Sequence, residues 1–333
     1  MSVPRLREIE PSTIDPSAIR RRTVAVIGYG SQGRSHALNL RDSGLRTIIG
    51  LPSGRASAVT ARADGFDVRE IPEATRHADV LMLATPDVPM PEIYAEQIAP
   101  ELRPGQTVLF AHGMTVAFGL IQPAPEIGVG LVAPKGPGPQ LRSEYLAGRG
   151  LACLVAEHQP GAEGNALDLA LGYAWGIGGA RRLVLQTTFA DEAETDMFGE
   201  QAVLCGGLPA LVQAGFRTLV DAGYPPELAY FECLHEVKLI ADLMIERGIA
   251  GMRDRISDTA EWGGYAAGDR LITEATRTEM RKILDEIRNG SFVAGLRSEA
   301  QAGYAHRTAY RERDAQDTSE AIGRVMRPKL LGS

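Results

Sequence analysis

The sequence predicts an α/β protein with a doubly wound, mostly parallel sheet followed by an all-α domain. The first half alternates short apolar runs with amphipathic segments, which is typical of strands joined by helices. A glycine-rich loop follows the first apolar run directly. After Thr188 the pattern changes to long stretches with helical spacing. We place the boundary near Thr187, which divides the chain into domains 1–187 and 188–333.

The predicted elements follow from local residue patterns. Each predicted strand is short, aliphatic or β-branched, and bounded by Gly, Pro or charged residues. The predicted strands are Thr23–Ile27, Thr47–Leu51, Val80–Ala84, Thr107–Ala111, Gly130–Ala133, Ala152–Ala156 and Leu183–Thr187. The predicted helices are Ser31–Ser43, Glu192–Ala222, Pro226–Arg247, Glu274–Arg288 and Phe292–Arg324. We also predict that His36, His77, His158 and His306 lie at the surface and that Met114, Met197 and Met244 lie in the core.

Composition and charge argue against several classes of protein. The 333 residues carry a formal net charge of −7 with no basic stripe, so we expect no nucleic-acid partner. The three cysteines are far apart and without metal-site spacing, which is typical of a reducing cytoplasm. The N-terminus lacks the apolar core of a signal peptide, and we find no apolar run of roughly 18 residues. We therefore expect a soluble cytoplasmic protein without a membrane partner.

The glycine-rich loop predicts dinucleotide binding on a Rossmann domain. The residues Gly28, Tyr29, Gly30, Ser31, Gln32 and Gly33 match G-x-G-x-x-G between a predicted strand and a predicted helix. Glycines allow a tight turn and close approach of the backbone to a pyrophosphate. The helix that follows presents free N–H groups and the positive end of its dipole to the phosphates.

The end of the second predicted strand indicates which dinucleotide is bound. An NAD site usually has Asp or Glu there for the ribose 2′-hydroxyl, and this segment contains no acid. Instead Arg55 provides a guanidinium, and Ser53 and Ser57 provide hydroxyls, as a 2′-phosphate would require. The alternative is an ordinary polar surface loop. We predict NADP.

Two acidic pairs in the helical half predict a metal site. Asp196 and Glu200, and Glu232 and Glu236, are each spaced i, i+4. On a helix this spacing puts both carboxylates on one face, with Cβ atoms roughly 5–6 Å apart, where like charges repel unless a cation lies between them. Both pairs lie in apolar segments, although such pairs are also common on solvated faces. Carboxylate oxygens suit Mg²⁺, and two pairs can hold two ions.

Six motifs in order resemble the short form of ketol-acid reductoisomerase, also called acetohydroxy acid isomeroreductase. The resemblance covers nearly the whole chain from Thr23 onward. The motifs are Gly28-Tyr29-Gly30-Ser31-Gln32-Gly33, Ala111-His112-Gly113, Ala133-Pro134-Lys135-Gly136-Pro137-Gly138, Asp196-x-x-Gly199-Glu200-Gln201, Glu232-x-x-His235-Glu236 and Ser257-Asp258-Thr259-Ala260-Glu261.

The resemblance implies a reaction, two cofactors and a set of roles. The family uses NADPH and two Mg²⁺ ions to convert 2-acetolactate or 2-aceto-2-hydroxybutyrate, which are 2-hydroxy-3-keto acids, into 2,3-dihydroxy acids of branched-chain amino acid synthesis. An alkyl migration precedes the hydride reduction. By resemblance, Asp196 and Glu200 are metal ligands of one subunit, and Glu232 and Glu236 are supplied across the interface of a homodimer or larger homo-oligomer. The helical half is knotted in this family.

The remaining predicted site residues also follow from the resemblance. His112 and Lys135 are implied to line the active site, where Lys135 places positive charge near developing oxyanions. We count both as catalytic, together with Asp196 and Glu200. Ser257 is implied to contact the substrate carboxylate from the partner subunit. Gly138, in the Lys135 loop, is assigned to the cofactor.

The sequence departs from the family pattern around the predicted site. Pro52 stands where we expect an arginine, although Arg55 follows closely. Other departures are Gly113-Met114-Thr115-Val116-Ala117, Pro139-Gln140-Leu141 and Asp254-Arg255. They leave open a paralogue that acts on a related substrate of a specialised pathway. Two other interpretations are a metal-independent NADP-linked hydroxy acid or imine reductase, and a non-catalytic NADP-binding scaffold.

Overall fold

The structure is a computed structural model that describes residues 6–331. The chain divides into two compact units, and the division falls between Thr195 and Asp196. The first unit contains a sheet covered by helices, and the second is helical. The predicted fold class is confirmed.

A nine-stranded sheet organises the first unit. Its strands are β1 (Arg7–Glu8), β2 (Thr23–Ile27), β3 (Arg46–Gly50), β4 (Asp67–Arg69), β5 (Val80–Leu83), β6 (Thr107–Phe110), β7 (Gly128–Pro134), β8 (Cys153–Gln159) and β9 (Val184–Gln186). Their spatial order is β1-β9-β8-β7-β6-β5-β2-β3-β4. Strands β2 to β7 are parallel, whereas β8 runs antiparallel to β7 and β1 runs antiparallel to β9. The order reverses between β2 and β5, which is where doubly wound sheets bind ligands.

The central strands are buried on both faces. Along β2, Val24 and Val26 belong to one apolar cluster, and Ala25 and Ile27 belong to the cluster on the opposite face. This alternation follows from the period of two in a strand. Because helices cover both faces, these strands are nearly continuous apolar runs, which is why their sequence signal is strong.

The helices of the first unit connect and cover the strands. They are α1 (Ser17–Arg20), α2 (Ser31–Asp42), α3 (Ala56–Ala63), α4 (Ile71–His77), α5 (Met90–Ile93), α6 (Met114–Ala117), α7 (Gly138–Leu146) and α8 (Ala166–Gly176). Helix α9 (Phe189–Phe198) contains the division between the units. A π-helical turn at Tyr94–Ile98 and short 3₁₀ turns at Pro11–Thr13, Ala99–Glu101 and Gly179–Arg181 complete the set.

The second unit is a series of helices around a small core. They are α10 (Gly207–Asp221), α11 (Pro226–Tyr230), α12 (Val237–Arg253), α13 (Asp258–Leu271), α14 (Glu274–Arg288), α15 (Ser291–Gln301), α16 (Ala305–Ala315) and α17 (Thr318–Leu331). Two π-helical turns, Gly199–Leu204 and Phe231–His235, interrupt the α-helical segments. One buried cluster contains Phe216, Ala229, Tyr230 and Met326.

Some elements were not predicted, and some separate helices were predicted as a single helix. In each case the local sequence signal is weak. All seven predicted strands form; Thr23–Ile27 has the predicted bounds, and the ends of the others differ by at most three residues. Strands β1 and β4 were not predicted, because they are two and three residues long and largely charged. The predicted helix Phe292–Arg324 is three helices, separated near Gly303 and Asp317. Helix α13 was not predicted as an element, although its N-terminal motif was recognised.

The single chain leaves much apolar surface exposed in its helical part. By length and composition, one stretch among residues 6–331, Phe189–Asp221, is long and apolar enough to cross a membrane. From the sequence we expect no apolar run of roughly 18 residues, because the acids of α9 interrupt this stretch. One such stretch is weak support for a membrane span, and only 6% of its apolar window is buried.

Met244, which the sequence predicts in the core, is exposed, and this corrects the prediction.

His36 corrects another prediction, because it is fully buried rather than at the surface. Its Nδ1 shares a 3.0 Å hydrogen bond with the Tyr173 hydroxyl, between α2 and α8. The sequence signal was ambiguous because His36 lies on the inward face of α2, beside polar Ser35 and Asn39, which are also buried. Burial lowers the pKa of His36 from 6.5 to about 4.

This lowered pKa predicts acid-sensitive stability. The unfolded chain binds a proton at His36 below about pH 6.5, whereas the folded chain does so only near pH 4. Stability is therefore fully present above the unfolded pKa, and falls by about 1.4 kcal/mol per pH unit between these values. Urea unfolding of the wild type and His36→Gln at pH 7 and pH 4.5 measures this contribution. The variant should lose less stability on acidification, and exposed His77→Gln should match the wild type. An equally steep loss in His36→Gln would contradict the prediction.

Candidate active site

The predicted loops meet at the carboxyl edge of the parallel sheet. The glycine loop follows β2, His112 follows β6, and Lys135 follows β7. Parallel neighbours end at the same edge, so loops that are distant in sequence lie close together.

The glycine loop has the geometry that its pattern predicts. Gly28 has φ +105°, and a Cβ there would lie 2.6 Å from Ala84 O. A Cβ on Gly33 would lie 2.4 Å from Gly28 O, so α2 can pack this closely only with glycine. Around Gly30 there is open space, and the N-terminus of α2 begins at Ser31. The Tyr29 side chain points inward, where its hydroxyl donates to Asp64 Oδ2 at 2.8 Å. Burial raises its pKa.

The Lys135 loop is attached to the glycine loop. Gln32 Nε2 donates to Gly136 O at 2.9 Å. A Cβ on Gly138 would lie 2.2 Å from Ser31 O, so the N-termini of α2 and α7 approach each other closely. The structure therefore places Ser31, Gln32 and Gly138 together, and Gly138 has a packing reason to be glycine.

A buried carboxylate joins the two predicted polar residues. Glu192, on α9, is 1% exposed. Its Oε1 accepts from Lys135 Nζ at 2.7 Å, and its Oε2 accepts from Gly113 N at 2.7 Å. His112 Nδ1 lies 4.0 Å from Glu192 Oε2 and accepts from Met114 N at 3.0 Å. His112 in its neutral form would therefore carry its proton on Nε2.

Glu192 was not among the predicted site residues. It lies among other acids in the Phe189–Phe198 helix, where one more carboxylate carries no local signal. The available signal was spacing, because Glu192 precedes Asp196 by one helical turn. A Cβ on Gly113 would lie 2.4 Å from Phe189 O, so glycine is needed for this approach of the His112 loop to α9.

The structure adds an acid to the predicted 2′-phosphate loop. Ser53 and Arg55 are exposed between β3 and α3, and Ser57 is half-buried in the first turn of α3. Ser53 N donates to Glu70 Oε1 at 2.8 Å. The segment itself contains no acid, but Glu70, which directly follows the unpredicted strand β4, contacts its backbone.

The acidic pairs lie at irregular helical turns. Asp196 is half-buried in α9, one turn after Glu192, and carboxylate oxygens of these two residues lie within 4.8 Å of each other. Glu200 lies in the π-helical turn 199–204, and Glu232 in the turn 231–235 just before Glu236. Such π-helical turns are rare in proteins overall, and those that occur are often found at functional sites.

The single chain does not gather all the predicted ligands. Glu200, Glu232 and Glu236 are exposed in the single chain, although they lie in apolar segments of sequence. Within residues 196–331 no group of three His, Cys, Asp or Glu side chains lies close enough to hold an ion. Ser257 caps α13, and its side chain accepts from Ala260 N at 3.2 Å. Its hydroxyl proton can still be donated.

Family comparison covers almost the whole chain. Residues 18–182 match the acetohydroxy acid isomeroreductase NADPH-binding domain, and residues 189–330 match the ketol-acid reductoisomerase C-terminal domain. The first unit therefore contains a nicotinamide dinucleotide-binding domain.

Solved structures agree with this match. An NADH-preferring ketol-acid reductoisomerase from an uncultured archean has a TM-score of 0.93 at 39% identity, covering 98% of this chain and 99% of that one. An NAD-binding semialdehyde dehydrogenase protein from Cupriavidus necator has a TM-score of 0.60 at 22% identity, covering 80% of this chain and 99% of its own. An oxidoreductase from Jannaschia has a TM-score of 0.58 at 18% identity, with 80% and 97% covered. These last two are similar in fold alone. The sequence motifs, the family matches and the first of these structures agree, and the chain belongs to the ketol-acid reductoisomerase family of oxidoreductases.

Proposed function

We propose that this chain converts 2-acetolactate or 2-aceto-2-hydroxybutyrate into 2,3-dihydroxy-3-methyl acids for branched-chain amino acid biosynthesis. The reaction is an alkyl migration followed by reduction of the new ketone by a nicotinamide cofactor. The observation that carries this proposal is the Lys135–Glu192 ion pair, which lies beside His112 and one helical turn before Asp196. A dinucleotide-dependent reductase without a metal needs neither this group of charged residues nor the three further acids Glu200, Glu232 and Glu236.

Asp196 and Glu200 suit magnesium, with Glu232 and Glu236 contributed by a second copy of the chain. All four are hard oxygen donors. Asp196 adds a second carboxylate within 4.8 Å of Glu192, whose own charge Lys135 balances, so a cation beside the pair would offset the added negative charge. Two Mg²⁺ ions would lower the pKa of the substrate hydroxyl and polarise its ketone.

The other residues position and stabilise charge. Glu192 holds the Lys135 ammonium in one orientation, so that positive charge faces the developing oxyanion of the substrate. The hydrogen bond from Gly113 N orients the second carboxylate oxygen of Glu192. It also keeps the neighbouring His112 beside that carboxylate. His112 Nε2–H can donate to a substrate oxygen. Ser257, from the second copy, can donate its hydroxyl to the substrate carboxylate while it caps α13.

Observations differ on the reduced cofactor. Arg55, Ser53 and Ser57 support NADPH, as predicted from the sequence, and the matching N-terminal family model describes an NADPH-binding domain. The structural relative that is 39% identical prefers NADH, and Glu70 contacts the same loop here. Either cofactor supplies the hydride for the proposed reaction.

Exposed apolar side chains in the second unit support assembly into a homodimer or larger oligomer. Leu208, Leu211, Leu239, Ile245, Ile249, Trp262 and Tyr265 are each 41–83% exposed. Apolar surface of this extent usually marks an interface. The second unit has only a small core of its own, so a second copy of the chain would bury these exposed apolar side chains. The cytoplasmic location and the roles of domains 1–187 and 188–333 stay predictions.

Mixing two inactive variants tests whether the site is shared between copies. Asp196→Asn and Glu232→Gln each should be inactive alone. In a mixed dimer with a shared site, one site carries both changes and the other carries neither, so activity returns. Equal mixing after unfolding and refolding should restore about a quarter of wild-type activity. If each site belongs to one chain, mixing restores nothing, and that result would contradict the shared site.

The reaction is tested by following NADPH or NADH oxidation with two substrates. With Mg²⁺, 2-acetolactate and 3-hydroxy-3-methyl-2-oxobutanoate should both be reduced. After chelation, turnover of 2-acetolactate should be lost because the migration needs the metal. Turnover of only the second compound would favour a plain hydroxy acid reductase. No turnover of either compound would favour the scaffold interpretation or a paralogue with another substrate.

A further inference from the structure

The acid that directly follows β4, Glu70, lies against the loop that follows β3. Ser53 N–H donates to Glu70 Oε1 at 2.8 Å, and this bond spans 17 residues of sequence. Both residues are exposed. The contact follows from the pairing of the strands, because Gly50 is opposite Arg69 in the parallel register and Leu51 N donates to Arg69 O at 2.9 Å. The two strand ends therefore hold Ser53 and Glu70 at one edge.

This loop lies beside the glycine loop. Gly28 N donates to Gly50 O at 3.1 Å, so the turn of the glycine loop and the end of β3 are adjacent. In doubly wound domains, a dinucleotide whose pyrophosphate binds at the glycine loop places its adenosine ribose at the end of the next strand along the chain, which is β3 here. In this chain that position is the segment from Ser53 to Ser57, together with Glu70.

We propose that Glu70 is a specificity-determining residue that favours a ribose 2′-hydroxyl over a 2′-phosphate, so that the chain prefers NADH to NADPH. The inference rests on the dinucleotide binding in the proposed function. The Ser53 N–H contacts Oε1, and a carboxylate has a second oxygen that can accept from a ribose hydroxyl.

The negative charge of Glu70 explains why the site would favour NADH over NADPH. A 2′-phosphate brings nearly two negative charges close to the Glu70 carboxylate, and like charges a few ångströms apart repel even in water. The 2′-phosphate would also compete with Glu70 for the Ser53 N–H. Arg55 is exposed on the same loop and attracts a phosphate, but Glu70 offsets this attraction. Glu70, which follows β4, thus takes the place of the acid that NAD sites usually have at the end of the strand equivalent to β3.

The test is binding of the reduced cofactors to the full chain, followed by fluorescence. The wild type should bind NADH more tightly than NADPH. Glu70→Gln keeps an oxygen acceptor for Ser53 N–H and removes the charge, so the ratio Kd(NADPH)/Kd(NADH) should fall by about tenfold. Because the site is exposed, the difference between wild type and variant should shrink in 1 M salt.

Glu73→Gln is the matched control. Glu73 lies on α4 near Glu70, but its carboxylate pairs with Arg69 Nη1 at 3.3 Å. It should leave the Kd ratio unchanged. The inference is overturned if the wild type binds NADPH more tightly, if Glu70→Gln leaves the ratio unchanged, or if Glu73→Gln shifts it equally. A shifted ratio in a chain that does not turn over 2-acetolactate would uphold the inference and reject the proposed function.

Discussion

Asp196→Asn is expected to lower kcat/KM for 2-acetolactate by at least about a thousandfold, with little change in fold. The substitution keeps the size of the side chain and removes its charge. Asp196 is half-buried and lies one helical turn after Glu192, where a carboxylate is the natural ligand for Mg²⁺. Loss of that ligand should weaken metal binding and the migration together.

The readouts are turnover of 2-acetolactate and titration of Mg²⁺ by calorimetry in the presence of the reduced cofactor. Asp191→Asn is the matched control, because Asp191 is exposed on the same helix in its first turn. It should retain wild-type turnover and metal binding. Full activity in Asp196→Asn, or equal losses in both variants, would contradict the metal-ligand role.

Glu192→Gln is expected to lower turnover about a hundredfold and to destabilise the fold by about 1–3 kcal/mol. The amide can still accept from Gly113 N, but it no longer balances the Lys135 ammonium 2.7 Å away. The stability loss stays below that of a fully buried ion pair, because Lys135 is 32% exposed and partly screened by solvent.

A double-mutant cycle with Lys135→Met separates charge positioning from simple damage. Since Glu192 acts by holding Lys135, the two changes should be far from additive in kcat/KM, and the double variant should resemble Lys135→Met alone. Urea unfolding of the same proteins measures the stability of the pair. Additive losses in kcat/KM would show that the two residues act independently, contrary to the proposed positioning role.

The strands and the glycine loop could be predicted because their signals are local. Thr23–Ile27 is β-branched and aliphatic, and Gly28 to Gly33 follows it directly, so neither needs information from elsewhere in the chain. The acidic pairs were visible for the same reason. Their irregular turns were not, because a π-helical turn at 199–204 or 231–235 has no simple residue pattern.

The site and the core depend on contacts between segments that are distant in sequence. Glu192 meets Lys135 over 57 residues of sequence, and His36 meets Tyr173 over 137. Neither contact has a local signature, so the sequence alone does not single out Glu192 and predicts a surface position for His36. Glu70 was missed because β4 is three residues long.

By itself, the sequence determined the succession of strands and helices, the dinucleotide loop and the family, because each is written in neighbouring residues. Only the tertiary structure decided which charged groups face each other at the carboxyl edge of the sheet. The physical reason is that strand order and register bring loop ends together, and these depend on burial of the whole sheet rather than on any one segment.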